Sequence, residues 1–215
     1  MEESLDLVLD TSRKGIALGI YRSGISLAEF FEPETRGENL GGALDWALER
    51  AGVSLGDIRR VLVALGPGSF TGLRSGIAFC EGLCFSGNRS LYGVSTLRAL
   101  RTLSSDENCA VVLYARTGYF YVGMKSGETF VPAEEAFQKF REEKNVSFVI
   151  DARVAENPEW KAFSASGNFS VLVSEGNEIA PFVRLFDELE PSLVQKANYI
   201  QPSYYERRGA MGVLR

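Results

Sequence analysis

One turn of the sequence carries the residue types best suited to binding a phosphate. It joins an apolar, strand-like run to an apolar, helix-like stretch, and it consists of Gly66, Pro67, Gly68, Ser69, Phe70 and Thr71. Such a turn can hold an anion at the first turn of the helix, with Ser69 or Thr71 as the cap. It can also let two backbones approach closely because glycine has no side chain. A P-loop is excluded, since GxxxxGK[ST] is absent and no lysine occurs in residues 61–88.

The composition excludes several kinds of catalytic site. The 215 residues include no histidine, which excludes paired-histidine zinc motifs and Ser-His-Asp triads. A net charge of −5 disfavours tight binding of nucleic acid by this chain alone. Cys80 and Cys84 lack further ligands for a metal and are expected to be buried. The absence of a leader pattern or a long apolar run predicts a cytoplasmic protein without membrane association.

The order of elements predicts an α/β fold with mixed sheets flanked by helices. The first half reads β-β-β-α-β-α-β-α, in which strand–helix–strand units imply parallel neighbours. A second strand meander begins at Cys109, after the polar run SSDEN. We therefore predict two lobes, residues 1–103 and 104–215, and expect a late helix over 179–196. Pro181 suits the first turn of that helix, and Pro191 is a site where it would break or kink.

The helix that follows the glycine-rich turn is unusual for its many small residues, which let another backbone approach closely. Helical spacing places Arg74, Ala78, Glu81 and Phe85 on one face. This pattern fits either a core helix with one exposed edge or a helix that associates with another chain.

Three stretches together resemble a known family. They are Asp10-Thr11-Ser12, the run GPGSFTGLRSGIAFCEGL over residues 66–83 and GVSTLRAL over residues 93–100. They resemble the TsaB (YeaZ-like) family of bacterial tRNA threonylcarbamoyladenosine biosynthesis proteins, in the glycoprotease-like group. The resemblance is strong over about the first hundred residues, the size of one domain. It implies the actin-like fold, with two lobes built on ribonuclease-H-like sheets.

The resemblance also implies a function and a set of partners. It implies a non-catalytic subunit that associates with TsaD, and through it with the ATPase TsaE, to support threonylcarbamoyl transfer to the adenosine beside the tRNA anticodon. The chain would contact tRNA only within that complex, would form a homodimer when alone, and would bind no cofactor or metal by itself. ATP or ADP and Mg²⁺ would belong to the partner complex. The alternatives are a nucleotide-dependent phosphotransferase or ATPase of the same fold, and a peptidase.

The resemblance assigns roles to particular residues. The association surface is expected to contain Gly72, Arg74, Ser75, Ala78, Glu81, Gly82 and Phe85. In an antiparallel pair of these helices, Arg74 of one chain would meet Glu81 of the other. In the actin-like fold, Asp10, Thr11 and Ser12 would face nucleotide phosphates as a vestigial nucleotide site, although the same residue types suit a hydrogen-bonded turn. No catalytic residue is assigned.

The sequence departs from the family pattern in three places. Residues 36–40 read RGENL where the family has a histidine, and Tyr114-Ala115-Arg116 replaces Asp-Ala-Arg. Residues 204–207 read YYER in place of the terminal Tyr-Leu-Arg.

Overall fold

The computed structural model describes residues 4–35, 39–85, 88–143 and 145–201. The first eight strands and helices follow the predicted order. They are β1 (Leu5–Asp10), β2 (Ile16–Arg22), β3 (Ile25–Glu32), α1 (Leu40–Ala51), β4 (Ile58–Ala64), α2 (Phe70–Phe85), β5 (Ser90–Val94) and α3 (Thr96–Arg101), with a short 3-10 turn at Leu55–Asp57.

The second half contains five further strands and four helices within the described residues. They are β6 (Cys109–Arg116), β7 (Tyr119–Met124), β8 (Gly127–Pro132), α4 (Ala133–Glu142), β9 (Ser147–Asp151), α5 (Ala152–Glu156), α6 (Pro158–Ser164), β10 (Val171–Ser174) and α7 (Ala180–Val183). The helices α5 and α6 were not predicted. Asp151 caps α5, and Asn157 with Pro158 starts α6.

The two halves form sheets of equivalent topology. The first has the order β3-β2-β1-β4-β5, and the second has β8-β7-β6-β9-β10. In each sheet a three-stranded antiparallel meander continues into two parallel strands. The predicted α/β class with mixed sheets is therefore confirmed. The two halves of the chain share one sheet architecture.

Helices cover both faces of the first sheet, which explains why β1 is buried along its whole length. Leu7 and Leu9 pack in one cluster with buried residues of α1 and α2. Val8 lies on the opposite face, in a cluster with Ala99 of α3. Leu97 and Leu100, also on α3, instead join the core of the second sheet. The helix α3 thus lies between the two sheets and joins their cores.

The prediction of one helix over residues 179–196 is wrong. Over these residues the structure has the short helix α7 and a 3-10 turn at Phe186–Glu188, although Pro181 does lie in the first turn of α7. From Pro191 to Ile200 the chain is irregular, because its main-chain N–H groups bond to acceptors other than those of a helix. The N–H of Ser192 donates to Leu91 O at 2.8 Å, and that of Asn198 donates to Leu65 O at 2.7 Å.

This irregular stretch, which we call the 192–201 segment, runs along the first sheet and α2 and then reaches the second sheet. Asn198 donates to Glu128 of β8 at 2.6 Å, and Tyr121 of β7 donates to Gln201 at 2.7 Å. Phe182 and Phe186 also pack on the first sheet. The boundary between residues 103 and 104 separates the two sheets, but the later residues contact both. Within the described ranges, no helix has the length and apolar character needed to cross a bilayer.

Candidate functional site

The glycine-rich turn packs directly against the turn that follows β1. The N–H of Ser69 donates to Ser12 O at 2.6 Å, and the Thr11 hydroxyl donates to Gly72 O at 2.7 Å. A Cβ atom on Gly72 would collide with the Thr11 carbonyl oxygen, and one on Gly76 would collide with the Thr11 hydroxyl. Ser69 also caps α2 by accepting from the N–H of Gly72 at 3.2 Å. The glycines and the serine therefore serve a close backbone approach.

The carboxylate of Asp10 is engaged by neighbours in the same chain. One oxygen accepts from the Ser12 N–H at 2.8 Å and from the Ser12 hydroxyl at 2.6 Å, and the other accepts from Arg13 Nε at 2.7 Å. Asp10, Thr11 and Ser12 are all buried. The residues thus form a hydrogen-bonded turn, and the nucleotide interpretation of them stays a prediction.

Arg13 connects this turn to the far end of the second sheet. Its guanidinium donates to the Ser174 hydroxyl at 3.0 Å, to the Glu178 carboxylate at 2.5 Å and to Glu178 O at 3.0 Å. The Arg13 side chain is only 10% exposed. Burial alone would lower the pKa of Arg13, but the carboxylates of Asp10 and Glu178 outweigh it and raise that pKa. The inter-lobe contact is therefore a buried, hydrogen-bonded ion network.

A cleft lies beside this network, between the two lobes. Polar side chains of both lobes line it, among them Lys14, Thr35, Ser69, Thr71, Asp151 and Arg153. Asp151 is committed to the backbone, because it accepts from the N–H groups of Tyr114 and Val154. Burial raises the pKa of Asp151, although the hydrogen bonds from Val154 and Tyr114 act to lower it. Among the described residues, no three cysteine or carboxylate side chains lie together as a metal site.

The outer face of α2 is the second candidate site. Phe70, Arg74, Ala78, Gly82 and Phe85 are exposed there, and Phe85 is 82% accessible. The Arg74 guanidinium lies 4.9 Å from the centre of the Phe70 ring. The predicted face from Arg74 to Phe85 thus points outward. That it binds another chain stays a prediction.

Three of the predicted surface residues of α2 are not fully exposed. Gly72 is buried against Thr11, so its assignment to an association surface is wrong. Ser75 and Glu81 are only partly exposed. Glu81 accepts a hydrogen bond from the N–H of Gln195 at 2.9 Å, so this carboxylate already has a partner within its own chain. In the predicted pairing, Arg74 of a second copy would have to share the Glu81 carboxylate with the N–H of Gln195.

Sequence reasoning missed the residues that lie beside α2 in the 192–201 segment. Tyr199 stacks on Phe70 with ring centres 5.2 Å apart. Lys196 is exposed and lines a shallow groove with Arg74 and Ala78. The apolar positions of this segment suit a helical period, and no local signal reveals that it lies along α2.

Other predicted positions have structural roles or lie outside the described residues. Cys80 and Cys84 are buried, as expected, and so is Cys109. Burial raises the pKa of all three thiols. The Tyr114 ring packs under the Arg153 guanidinium at 3.8 Å, and Arg116 lies 3.6 Å above the ring of Tyr119. The departures at residues 36–38 and 204–207 lie outside the described residues.

The two equivalent sheets, the central cleft and the flanking helices define a two-lobed protein of the actin-like class. A family model described as TsaD, tRNA N6-adenosine threonylcarbamoyltransferase, matches residues 35–206. Because the match covers most of the sequence, the chain belongs to this family.

Curated relatives of this chain carry the TsaB name, which confirms the resemblance seen in the motifs. The "tRNA threonylcarbamoyladenosine biosynthesis protein TsaB" of Escherichia coli is 32% identical over 95 residues, covering 44% of this chain and 41% of that protein. Its namesake in Bacillus subtilis is 26% identical over 122 residues, covering 55% and 53%. The aligned region thus spans only about half of these relatives, or less.

Solved structures share the fold over nearly the whole chain. YeaZ from Pseudomonas aeruginosa has a TM-score of 0.65 at 21% identity, covering 94% of this chain and 99% of that one. The ethanolamine utilization protein EutJ from Carboxydothermus hydrogenoformans has a TM-score of 0.53 at 12% identity, covering 85% and 89%. At these identities the likeness concerns the fold alone.

Proposed function

We propose that this chain is a non-catalytic partner subunit in the formation of threonylcarbamoyladenosine on tRNA. It would associate with a TsaD protein and thereby support transfer of the threonylcarbamoyl group to the adenosine beside the anticodon. Membership of the TsaD family and the TsaB names of its relatives support this assignment. The association with TsaE would be indirect.

The observation that carries the proposal is the outward face of α2. In a helix of a globular protein, large apolar residues normally point to the core, yet Phe70 and Phe85 at the two ends of α2 point outward. Exposed Ala78 and Gly82 lie between them and would let another backbone approach. Contiguous exposed apolar surface of this kind typically marks an interaction site.

The residues of the inner cleft support a catalytic role less well than the α2 face supports association with a partner. Asp10, a carboxylate beside the glycine-rich turn, already accepts hydrogen bonds from Ser12 and Arg13. The arginine connects the two lobes directly across the base of the cleft. These contacts favour a supporting role over chemistry within this chain.

The experiment is binding to the TsaD protein of the same organism, followed by light scattering coupled to size-exclusion chromatography. The wild-type chain should form a complex of defined mass. Arg74→Glu should weaken it by at least about tenfold, since reversing a charge inside an interface costs more than about 1.4 kcal/mol. Arg50→Glu, an exposed position on α1, is the matched control. A wild-type chain that forms no complex would contradict the proposal.

A nucleotide-dependent phosphotransferase is the second candidate, and the polar lining of the cleft is the observation that favours it. Isothermal titration calorimetry of the isolated chain with ATP and Mg²⁺ distinguishes the phosphotransferase from the partner subunit. Tight, magnesium-dependent binding that Lys14→Ala abolishes would favour the phosphotransferase over the partner subunit.

A further inference from the structure

We infer that the 192–201 segment forms the second wall of the partner-binding surface, which fits an apolar partner helix carrying a carboxylate. This inference rests on the proposed function, because it concerns the same surface. It adds a wall that lies more than about a hundred residues from α2 in sequence, and it states the charge of the partner.

Exposed apolar side chains are concentrated on these two elements. Of the 11 large hydrophobic residues exposed in the described part of the chain, five lie here. Phe70 and Phe85 belong to α2, and Leu193, Val194 and Tyr199 belong to the 192–201 segment. Val194 is 68% accessible, although it is flanked by main-chain bonds that hold the segment in place. The apolar surface therefore extends beyond the helix.

The contacts between the elements make them one continuous surface. Tyr199 stacks on Phe70 at the start of α2, and the N–H of Gln195 bonds to Glu81 near its end. The segment thus runs antiparallel to α2. Ile77 and Ala197 pack into the underlying core cluster and form the floor of the groove between them.

The second wall is held in place before any partner binds. Ser192, Gln195 and Asn198 donate main-chain N–H groups to Leu91, Glu81 and Leu65 at 2.7–2.9 Å. The Gln195 side chain donates back to Ser192 O at 2.8 Å. A surface fixed in this way loses little conformational entropy on binding, which favours affinity.

The charges of the groove favour an acidic partner. Arg74 and Lys196 are exposed on opposite walls, and within the part of the chain that the structure describes neither contacts a carboxylate. Glu81, the carboxylate in the groove, already accepts from Gln195. A second copy of this chain would bring the same two cations and an engaged carboxylate. A partner helix with a free Asp or Glu complements the groove better.

The test compares three variants with wild type in calorimetric titrations against the TsaD protein. Lys196→Glu reverses the charge of the second wall, and Tyr199→Ala removes its aromatic anchor. Lys161→Glu reverses an exposed charge on α6 of the other lobe and is the matched control. Circular dichroism and thermal unfolding establish that each variant folds.

We expect Lys196→Glu and Tyr199→Ala each to raise the dissociation constant by about tenfold or more, with Lys161→Glu within about twofold of wild type. Wild-type affinity should also fall with added salt, and less so in Lys196→Glu. If Arg74→Glu loses binding while Lys196→Glu and Tyr199→Ala keep it, α2 binds alone and the second wall is refuted, although the proposed function stands. If wild type binds no TsaD, or only a second copy of itself, both ideas fail.

Discussion

The hydroxyl of Thr11 donates to the carbonyl oxygen of Gly72 at 2.7 Å, and this contact joins the turn after β1 to the first turn of α2. Both residues are buried, and Gly76 lies one turn further along the same side of the helix. Positions 72 and 76 require glycine because Thr11 leaves no room there for a Cβ atom. The glycine-rich run therefore positions α2, whose opposite face is the proposed partner surface.

Gly72→Ala should destabilise the fold. Its new Cβ atom would collide with a main-chain oxygen that cannot rotate away, so we expect a loss of about 1–3 kcal/mol in the free energy of unfolding. Gly82→Ala on the same helix is the control. No atom lies within 4 Å of that Cβ position, so alanine should be neutral or stabilise by up to about 1 kcal/mol. Urea unfolding measures both, and equal stabilities would refute the close approach.

Arg13→Gln should loosen the two lobes. The change leaves the buried carboxylate of Asp10 and the partly buried carboxylate of Glu178 without their shared cation. Breaking a buried ion pair in this way costs about 3–5 kcal/mol. Spin labels on Arg50→Cys in α1 and Lys161→Cys in α6 should report a broader inter-lobe distance. The three native cysteines are buried and will not be labelled under native conditions.

Arg60→Gln is the matched control for that measurement. Arg60 donates to the buried Asp6 at 2.7 Å and to the exposed Asp187 at 3.3 Å. Neither contact reaches the second sheet, because the 3-10 turn that carries Asp187 packs on the first sheet. This variant should lose stability while the inter-lobe distance stays unchanged. If Arg13→Gln leaves the distance distribution as narrow as Arg60→Gln does, the arginine does not hold the lobes together.

The contribution of Glu178 should depend on pH. Burial would raise the pKa of Glu178, but Arg13 and the Ser174 hydroxyl outweigh it, so the folded-state pKa lies below the ordinary value of 4.5. A carboxylate with a lowered pKa stabilises the fold fully above its unfolded pKa, and the stabilisation is lost as pH falls through the folded value. The difference in unfolding free energy between wild type and Glu178→Gln should therefore be largest near pH 7 and shrink below about pH 4.5. A difference that stays constant down to about pH 3 would contradict the ion pair.

Glu81→Ala should loosen the middle of the 192–201 segment, around Gln195. The N–H of Gln195 loses its acceptor, so its hydrogen exchange should accelerate by about tenfold or more, which corresponds to about 1.4 kcal/mol of protection. Glu81→Gln keeps an acceptor oxygen and should preserve most of that protection. Glu49→Ala, an exposed glutamate on α1, should change nothing in this segment. Unaltered exchange at Gln195 in Glu81→Ala would show that other contacts hold the segment.

The strands and longer helices were predictable because their signals are local. The predicted order β-β-β-α-β-α-β-α of the first half is present in the structure. The helices α5 and α6 were missed because five and seven residues are too few to show a helical period. Their caps, Asp151 and Asn157, were the available signals.

The site was less predictable because its contacts are distant in sequence. Small residues in α2 indicated a close approach, but not that Gly72 faces Thr11 while Gly82 faces outward. Residues 192–199 have apolar spacing that suits a helix, yet their N–H groups find acceptors on Leu91 and Leu65. Tertiary hydrogen bonds of this kind override local propensity, and the sequence does not reveal them.

The most direct test of the proposed function is reconstituted transfer of the threonylcarbamoyl group from threonylcarbamoyl adenylate to tRNA, with ATP and with purified TsaD and TsaE proteins of the same organism. The reaction is measured without this chain, with wild type, and with Arg74→Glu. We predict transfer with wild type, and a rate at least about tenfold lower both without the chain and with Arg74→Glu. Equal transfer with and without the wild-type chain would contradict a supporting role for this protein.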